Sequence, residues 1–255
     1  MPRLDVSDID VQFGGLQALS QATVSVDHGQ ICGLIGPNGA GKTTLFNVIT
    51  GMQTPTGGQV TIHHGDGTTA DLTKAAVHKR TRAGIARTFQ KLEVFNTLSA
   101  RDNVLVAAEL RQRWDRSGPP PGERADEILE RVGIADVAEI TVGTLPTGTA
   151  RLVELARALA TEPLFLLLDE PSSGLNEEET EEMGAMLRVL VGDGLGVLLV
   201  EHDMSFVMKL CDHIYVLDFG EIIAAGAPAE IQEDPQVQAA YLGADMADEN
   251  GDSDG

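Results

Sequence analysis

The run Gly36-Pro37-Asn38-Gly39-Ala40-Gly41-Lys42-Thr43-Thr44 constrains this chain more than any other stretch of it. It satisfies G-x-x-x-x-G-K-[ST] in full. Before it stands Ile31-Cys32-Gly33-Leu34-Ile35, a continuous apolar run of the kind that forms a strand buried on both faces, and after it a helix is expected from about Lys42 to Thr50. A glycine turn with a chance lysine would not need that setting. In a strand, loop and helix unit the glycines let backbone N–H groups curl around phosphate, and the helix N-terminus adds partial positive charge. Lys42 then neutralises the β- and γ-phosphates, and the Thr43 hydroxyl binds Mg²⁺.

A second chemical signal lies at Leu164-Phe165-Leu166-Leu167-Leu168, an apolar strand that ends in Asp169-Glu170. Acidic residues at a strand end are common in solvated turns. Beside a phosphate loop they acquire defined roles: Asp169 holds the Mg²⁺ shell through water, and Glu170 acts as general base or orients the attacking water.

Around these signals the chain alternates strand and helix patterns. Residues 3 to 30 read as short antiparallel strands, with Leu4, Val6 and Ile9, then Val11 and Phe13, then Val24 and Val26, broken at Gly14-Gly15 and His28-Gly29. A helix capped by Ser99 with Asp102 three positions on runs through Val104, Leu105, Ala108 and Leu110, and stops before Ser117-Gly118-Pro119-Pro120-Pro121-Gly122. Further helices are expected near Glu123 to Arg131 and from about Thr149 to Ala160, so residues from about 91 to 160 form a helical insert. The β/α alternation resumes with helices near Glu177 to Val191 and Ser205 to Leu210, and strands at Val197 to Val200 and Ile214 to Leu217. Only one phosphate loop is present, so a two-site mechanism needs a partner.

A hydrophobic share of 42% with only 4% aromatic residues calls for a core of Leu, Val, Ile and Ala, as in an α/β protein. No apolar run approaches the roughly 20 residues that span a bilayer, and the N-terminus lacks a basic segment followed by an apolar one. The expectation is a soluble cytoplasmic chain. The formal net charge of −21 argues against nonspecific nucleic-acid binding and against adsorption to anionic lipid, so any membrane contact goes through protein. Cys32 and Cys211 are expected as buried free thiols, and the acidic end, residues 244–255, as a disordered tail serving solubility.

The ordered set of Gly36 to Thr44, Gln90, Leu145-Pro146-Thr147-Gly148-Thr149, Asp169-Glu170-Pro171, Ser173-Gly174-Leu175-Asn176 and Glu201-His202-Asp203 resembles the motif series of ABC ATPases. That resemblance covers residues 4 to 243. It implies a P-loop NTPase fold of α/β class, with a RecA-like parallel sheet core, an antiparallel β subdomain and an inserted helical subdomain, all within one domain over residues 1–243. Its cofactors would be ATP and Mg²⁺. Phe13 would stack on adenine, Gln90 would touch Mg²⁺ or water and report the γ-phosphate to the helical insert, and His202 would sense that phosphate. The signature loop departs from the commonest form, Leu-Ser-Gly-Gly-Gln: Pro146 replaces the serine and Thr147 the first glycine. Pro146 removes a hydroxyl and an N–H donor, which leaves Gly148, the helix N-terminus and the hydroxyls of Thr147 or Thr149 to meet a phosphate.

Gln12-Phe13-Gly14-Gly15-Leu16, Leu45-Phe46-Asn47, Gly84 to Gln90 and the final Ala240-Tyr241-Leu242-Gly243 resemble the ATPases of branched-chain amino-acid importers and their urea or amide relatives. The resemblance implies a second ABC ATPase subunit, identical or different, two permease subunits and an extracytoplasmic solute-binding protein, with this chain peripheral on the inner face of the plasma membrane. Residues from about Lys91 to Leu98 would meet a permease loop. An exporter ATPase for lipid or glycolipid shares the same parts and is the alternative. A GTPase would carry an Asn-Lys-x-Asp guanine reader, and repair or translation ABC proteins would carry two motif sets or a long coiled coil; this sequence has neither.

Overall fold

The computed structural model describes residues 1–241, so the acidic tail and Leu242-Gly243 lie outside the described residues. The chain opens with two long strands, β1 (Arg3–Phe13) and β2 (Leu16–Asp27), paired antiparallel around the Gly14-Gly15 turn. Several short strands were expected here, because the inward pairs Leu4/Val6 and Ile9/Val11 are out of phase by one residue. The backbone absorbs that slip as a bulge at Asp8, which sits at φ +52°, and all four apolar side chains stay fully buried.

Next come β3 (Ile31–Ile35) and α1 (Lys42–Thr50), after which β4 (Gly57–His63) and β5 (Thr69–Asp71) extend the antiparallel sheet to the order β2-β1-β4-β5. The short α2 (Val77–Arg82) leads to β6 (Ile85–Arg87). A helical layer follows: α3 (Ala100–Trp114), α4 (Pro121–Arg131) and α5 (Thr147–Leu159), with two single 3₁₀ turns before α5. Ser99 caps α3 by accepting from Asp102 N–H. Helix α4 starts two residues earlier than its sequence pattern, with Pro121 in the first turn, where a missing N–H costs nothing.

The chain then returns through β7 (Phe165–Asp169), α6 (Glu177–Gly192), β8 (Gly196–Val200), α7 (Met204–Leu210), β9 (His213–Asp218), β10 (Glu221–Gly226) and α8 (Pro228–Glu233). The second sheet has the order β10-β9-β3-β8-β7-β6, parallel from β9 to β6, with β10 antiparallel at the edge. Its central strands look uniformly apolar in sequence because both faces are covered. Ile31 and Ile35, Leu166 and Leu168, and Val197 and Leu199 pack toward the helices, while Cys32 and Leu34, Phe165 and Leu167, and Leu198 and Val200 pack toward α1 and the antiparallel sheet. Cys32 and Cys211 are free, buried and in different core clusters, as their apolar surroundings predict. No described helix is long and apolar enough to cross a membrane.

Candidate active site

The phosphate loop leaves the end of β3 under tight constraint. A Cβ on Gly36 would lie 1.9 Å from the Leu217 carbonyl oxygen, and one on Gly41 would lie 2.8 Å from that of Ala18; both glycines have positive φ. The loop is thus squeezed between the end of β9 and β2, where no side chain fits. Lys42 opens α1 buried, and its Nζ donates to the carbonyls of Gly36 and, at 2.9 Å, Pro37. Burial pulls its ammonium below the ordinary lysine value, while Glu170 and Asp169 pull the other way.

A cleft of about 300 Å³ lies over this loop, lined by Asn38, Gly39, Ala40, Gly41, Lys42, Thr43 and Thr44 together with Gln90, Asp169, Glu170, Val200 and His202. Parallel topology explains the convergence. β3, β8 and β7 are neighbours running the same way, so the loop, His202 and Asp169-Glu170 all emerge at one edge of the sheet.

Glu170 sits at φ +50°, uncommon for a residue with a side chain, and its N–H donates to Val200 O at 2.9 Å. Its carboxylate is held from two sides: Oε1 lies 2.8 Å from His202 Nε2, and Oε2 accepts from Gln90 Nε2 at 2.9 Å. Asp169 is bound differently. Arg87 Nη2 donates to its Oδ2 at 2.7 Å, both side chains being nearly buried, and Arg87 Nη1 donates to Asn47 Oδ1 at 2.7 Å. The guanidinium lies 5.3 Å from the Phe46 ring and 4.9 Å from the Phe89 ring. Arg87 entered the sequence reading only as a neighbour of Gln90; its pairing across 82 positions has no local signal.

The donor set fits Mg²⁺. The exposed Thr43 hydroxyl, Asp169 and Gln90 bring hard oxygens to one cleft, and Mg²⁺ prefers one or two protein oxygens completed by phosphate and water. Among the described residues no cluster of three or more His, Cys, Asp or Glu forms a metal cage of its own.

The Gln90 segment is fastened to α5. Arg151 donates to Phe89 O at 3.0 Å and to Gln90 O at 2.7 Å, and Glu154 accepts from Glu93 N–H at 3.1 Å and Phe89 N–H at 3.4 Å. Both side chains are buried and pair with each other at 3.4 Å. Burial pushes the Glu154 carboxyl above its usual range, against the pull of those N–H donors and Arg151. Sequence reasoning missed this pair. The available signal was two opposite charges three positions apart beside Ala150, Val153 and Leu155 on the apolar face. Glu201 entered the sequence reading only as the neighbour of His202 and without a role; buried, it accepts from Ser172 N–H at 2.8 Å and His202 N–H at 3.1 Å, joining the turns that follow β7 and β8.

Two expected groups lie apart from the cleft. Phe13 stands half-exposed at the tip of the β1–β2 hairpin. Thr147, Gly148 and Thr149 form the first turn of α5, which begins at Thr147 rather than near Thr149 because Pro146, at φ −55° and ψ 153°, already occupies the N-cap. Gly148 and Thr149 line a different hollow with Leu175 and Glu179, and a Cβ on Gly148 would lie 2.5 Å from Glu179 Oε1. Asn176 caps α6 by accepting from Glu179 N–H, and the Glu179 carboxylate in turn accepts from Asn176 N–H, a reciprocal capping box.

A phosphate loop at the centre of a parallel sheet, opening on a held glutamate, makes this chain a phosphate-loop ATPase. The comparisons narrow the class. Residues 19–173 match the ABC transporter family and residues 221–247 match the branched-chain amino acid ATP-binding cassette transporter family; the chain belongs to the ABC transporter family, among its ATP-binding proteins. It is 39% identical to the high-affinity branched-chain amino acid transport ATP-binding protein BraF of Pseudomonas aeruginosa and 36% identical to LivG of Escherichia coli K12, each alignment covering 95% of this chain and 98% of the relative. It is 33% identical to the lipopolysaccharide export system ATP-binding protein LptB of Escherichia coli K12, over 96% of this chain and 99% of that one. Its fold is similar to that of an ATP-binding cassette of an ABC transporter solved in its ADP conformation, with a TM-score of 0.83 and 30% identity over 95% of this chain and 99% of the other.

Proposed function

We propose that this ABC ATPase powers import of branched-chain amino acids or related small polar solutes, as one of two ATPase subunits seated on permease subunits at the inner face of the plasma membrane. An extracytoplasmic binding protein would deliver the solute. The observation that carries the catalytic reading is Glu170, held between His202 and Gln90 at the mouth of the phosphate-loop cleft. The loop N–H groups of Gly36 to Thr44 and the start of α1 receive the phosphates, and Lys42 turns from the loop carbonyls to the β- and γ-phosphates. The Thr43 hydroxyl and Asp169, with Gln90 beside them, would hold Mg²⁺, which would supply neutralisation of phosphate charge. Glu170 orients the attacking water and accepts its proton, while His202 donates to the γ-phosphate oxygens as charge builds there.

Phe13 offers its ring to adenine. The first turn of α5, with the N–H groups and hydroxyls of Thr147 and Thr149 and the backbone of Gly148, faces the nucleotide of a second subunit. Its distance from this chain's own cleft supports that arrangement. The solute class is supported by the match at residues 221–247 and by the likeness to BraF and LivG. The likeness to LptB supports the alternative, an exporter of lipid or glycolipid.

Glu170→Gln is expected to bind ATP with near-normal affinity while slowing hydrolysis by about 10²- to 10⁴-fold, the usual worth of a positioned base. Normal turnover in that variant removes the catalytic assignment. Co-purifying the membrane subunits and assaying amino-acid uptake in vesicles tests the transport assignment: uptake that is independent of this chain's ATPase activity removes it.

A further inference from the structure

Phe219 combines two features that rarely coexist by accident. Its side chain is 89% exposed, and its backbone sits at φ +41° beside Gly220 at φ +85°. Two successive left-handed residues form the tight turn between β9 and β10, a setting that favours Asn-Gly and penalises a bulky aromatic. Strain of this kind persists where the surroundings fix it, and it gathers at functional sites.

The surroundings here are the phosphate loop and β2. Gly220 N–H donates to Ala40 O of the loop at 2.9 Å, and Ser20 N–H donates to Gly220 O at 2.9 Å. A Cβ on Gly220 would lie 2.9 Å from Ala18 O. Ala18 is the unpaired residue of a register shift, since Val11 pairs with Leu19 and Gln12 with Gln17. Directly beyond it the hairpin tip carries Phe13 and Leu16, which face each other in register and are 49% and 68% exposed. The turn that carries Phe219, held against Ala18 and Ser20 of β2, and the hairpin tip that carries Phe13 and Leu16 thus both stand on the β9 and β2 side of the loop. Glu170 and His202 lie on the opposite side, at the ends of β7 and β8. A nucleotide whose terminal phosphate points at Glu170 must extend its ribose and base the other way.

We infer that Phe219 is a second aromatic contact for the base of bound nucleotide, facing the ribose and adenine from the β9–β10 turn while Phe13 faces them from the hairpin tip. The inference rests on the reading of Phe13 as the base platform. Base–aromatic contact tolerates many geometries because it needs only a π-face. It is made equally with ATP, ADP and the transition state, so it sets affinity and leaves the chemical step alone.

The test is equilibrium binding of ADP and of inorganic tripolyphosphate to the full chain and to Phe219→Ala, Phe219→Asn and Phe13→Ala. Asn suits the left-handed position, so a loss in that variant reports the missing ring rather than a disturbed turn. Both Phe219 variants are expected to weaken ADP binding by about fivefold to tenfold, with tripolyphosphate affinity unchanged. The ATPase KM rises by the same factor and kcat stays the same. Unchanged ADP affinity in Phe219→Asn, or ADP and tripolyphosphate affinities falling together, overturns the inference. If Phe13→Ala alone weakens ADP, only the assignment of Phe219 falls; if neither position affects ADP, the Phe13 reading falls with it.

Discussion

Arg87 is both a counter-charge and a spacer. It neutralises Asp169, which sits at a strand end with 9% of its side chain exposed, and its stacking between Phe46 and Phe89 prevents the pair from drifting. Removing one partner of a buried ion pair leaves the other uncompensated. Arg87→Ala is therefore expected to lower stability by about 3–5 kcal/mol in urea unfolding. Asp169→Asn in the same background should recover part of that loss, because it removes the orphaned charge. Additive losses in the double variant would show that the two side chains are independent. Glu154 acts at one remove from the chemistry, through the N–H groups of Phe89 and Glu93. Glu154→Leu removes the acceptor of both N–H groups and is expected to leave ATP affinity intact while lowering kcat by about tenfold, on the scale of one positioning hydrogen bond. Equal KM and kcat in variant and parent would exclude the coupling. The cysteines have no such role: burial pushes the Cys211 thiol up to about 12 and the Cys32 thiol higher still. Neither should react with maleimide at neutral pH until the chain unfolds.

At the scale of elements, Arg80 closes the end of α1. Its Nη1 donates to Val48 O at 2.6 Å and Ile49 O at 2.8 Å, its Nη2 to Thr73 O at 3.0 Å and its Nε to Ala75 O at 3.0 Å. Val48 O and Ile49 O belong to the last turn of α1, where carbonyls lack the next turn's N–H groups, and Arg80 ties them to the loop that follows β5. Arg80→Met should cost about 2–4 kcal/mol, since several buried acceptors lose a charged donor at once. A destabilisation below about 1 kcal/mol in thermal or urea unfolding would mean that water replaces it. No sequence pattern separates this arginine from Lys79 and Arg82, its neighbours in a basic helix. The same lack of contrast hid β4, β5, β6 and α2, because strands of three residues and a glycine-led strand carry too few positions for a period to appear. The long apolar strands and α3 were legible because burial on both faces and a capped amphipathic stripe are local properties. The start of α5 was misplaced by two residues because Pro146 is a cap in the structure and reads as a breaker in sequence.

Across the whole molecule, the cleft was readable to the extent that topology is. Once the loop is placed after β3 and the acidic pair after β7, parallel strands bring them together with His202, and Gln90 follows from β6 at the edge. The contacts that stabilise the cleft, from Arg87, Arg151 and Glu201, join residues far apart in sequence or turns of irregular shape, and no local pattern marks them. Charge is the remaining global property, and it bears on assembly. At −21 per chain, two copies brought face to face around ATP repel strongly, and the screening length falls from roughly 30 Å at 0.01 M salt to about 8 Å at 0.15 M. Self-association of the Glu170→Gln chain with bound ATP is therefore expected to strengthen as salt rises through this range, by sedimentation velocity. A partner subunit of lower negative charge should associate with a weaker salt dependence. Dimerisation that weakens with salt would instead mean that local attraction between opposite charges across the interface outweighs the repulsion of the two chains.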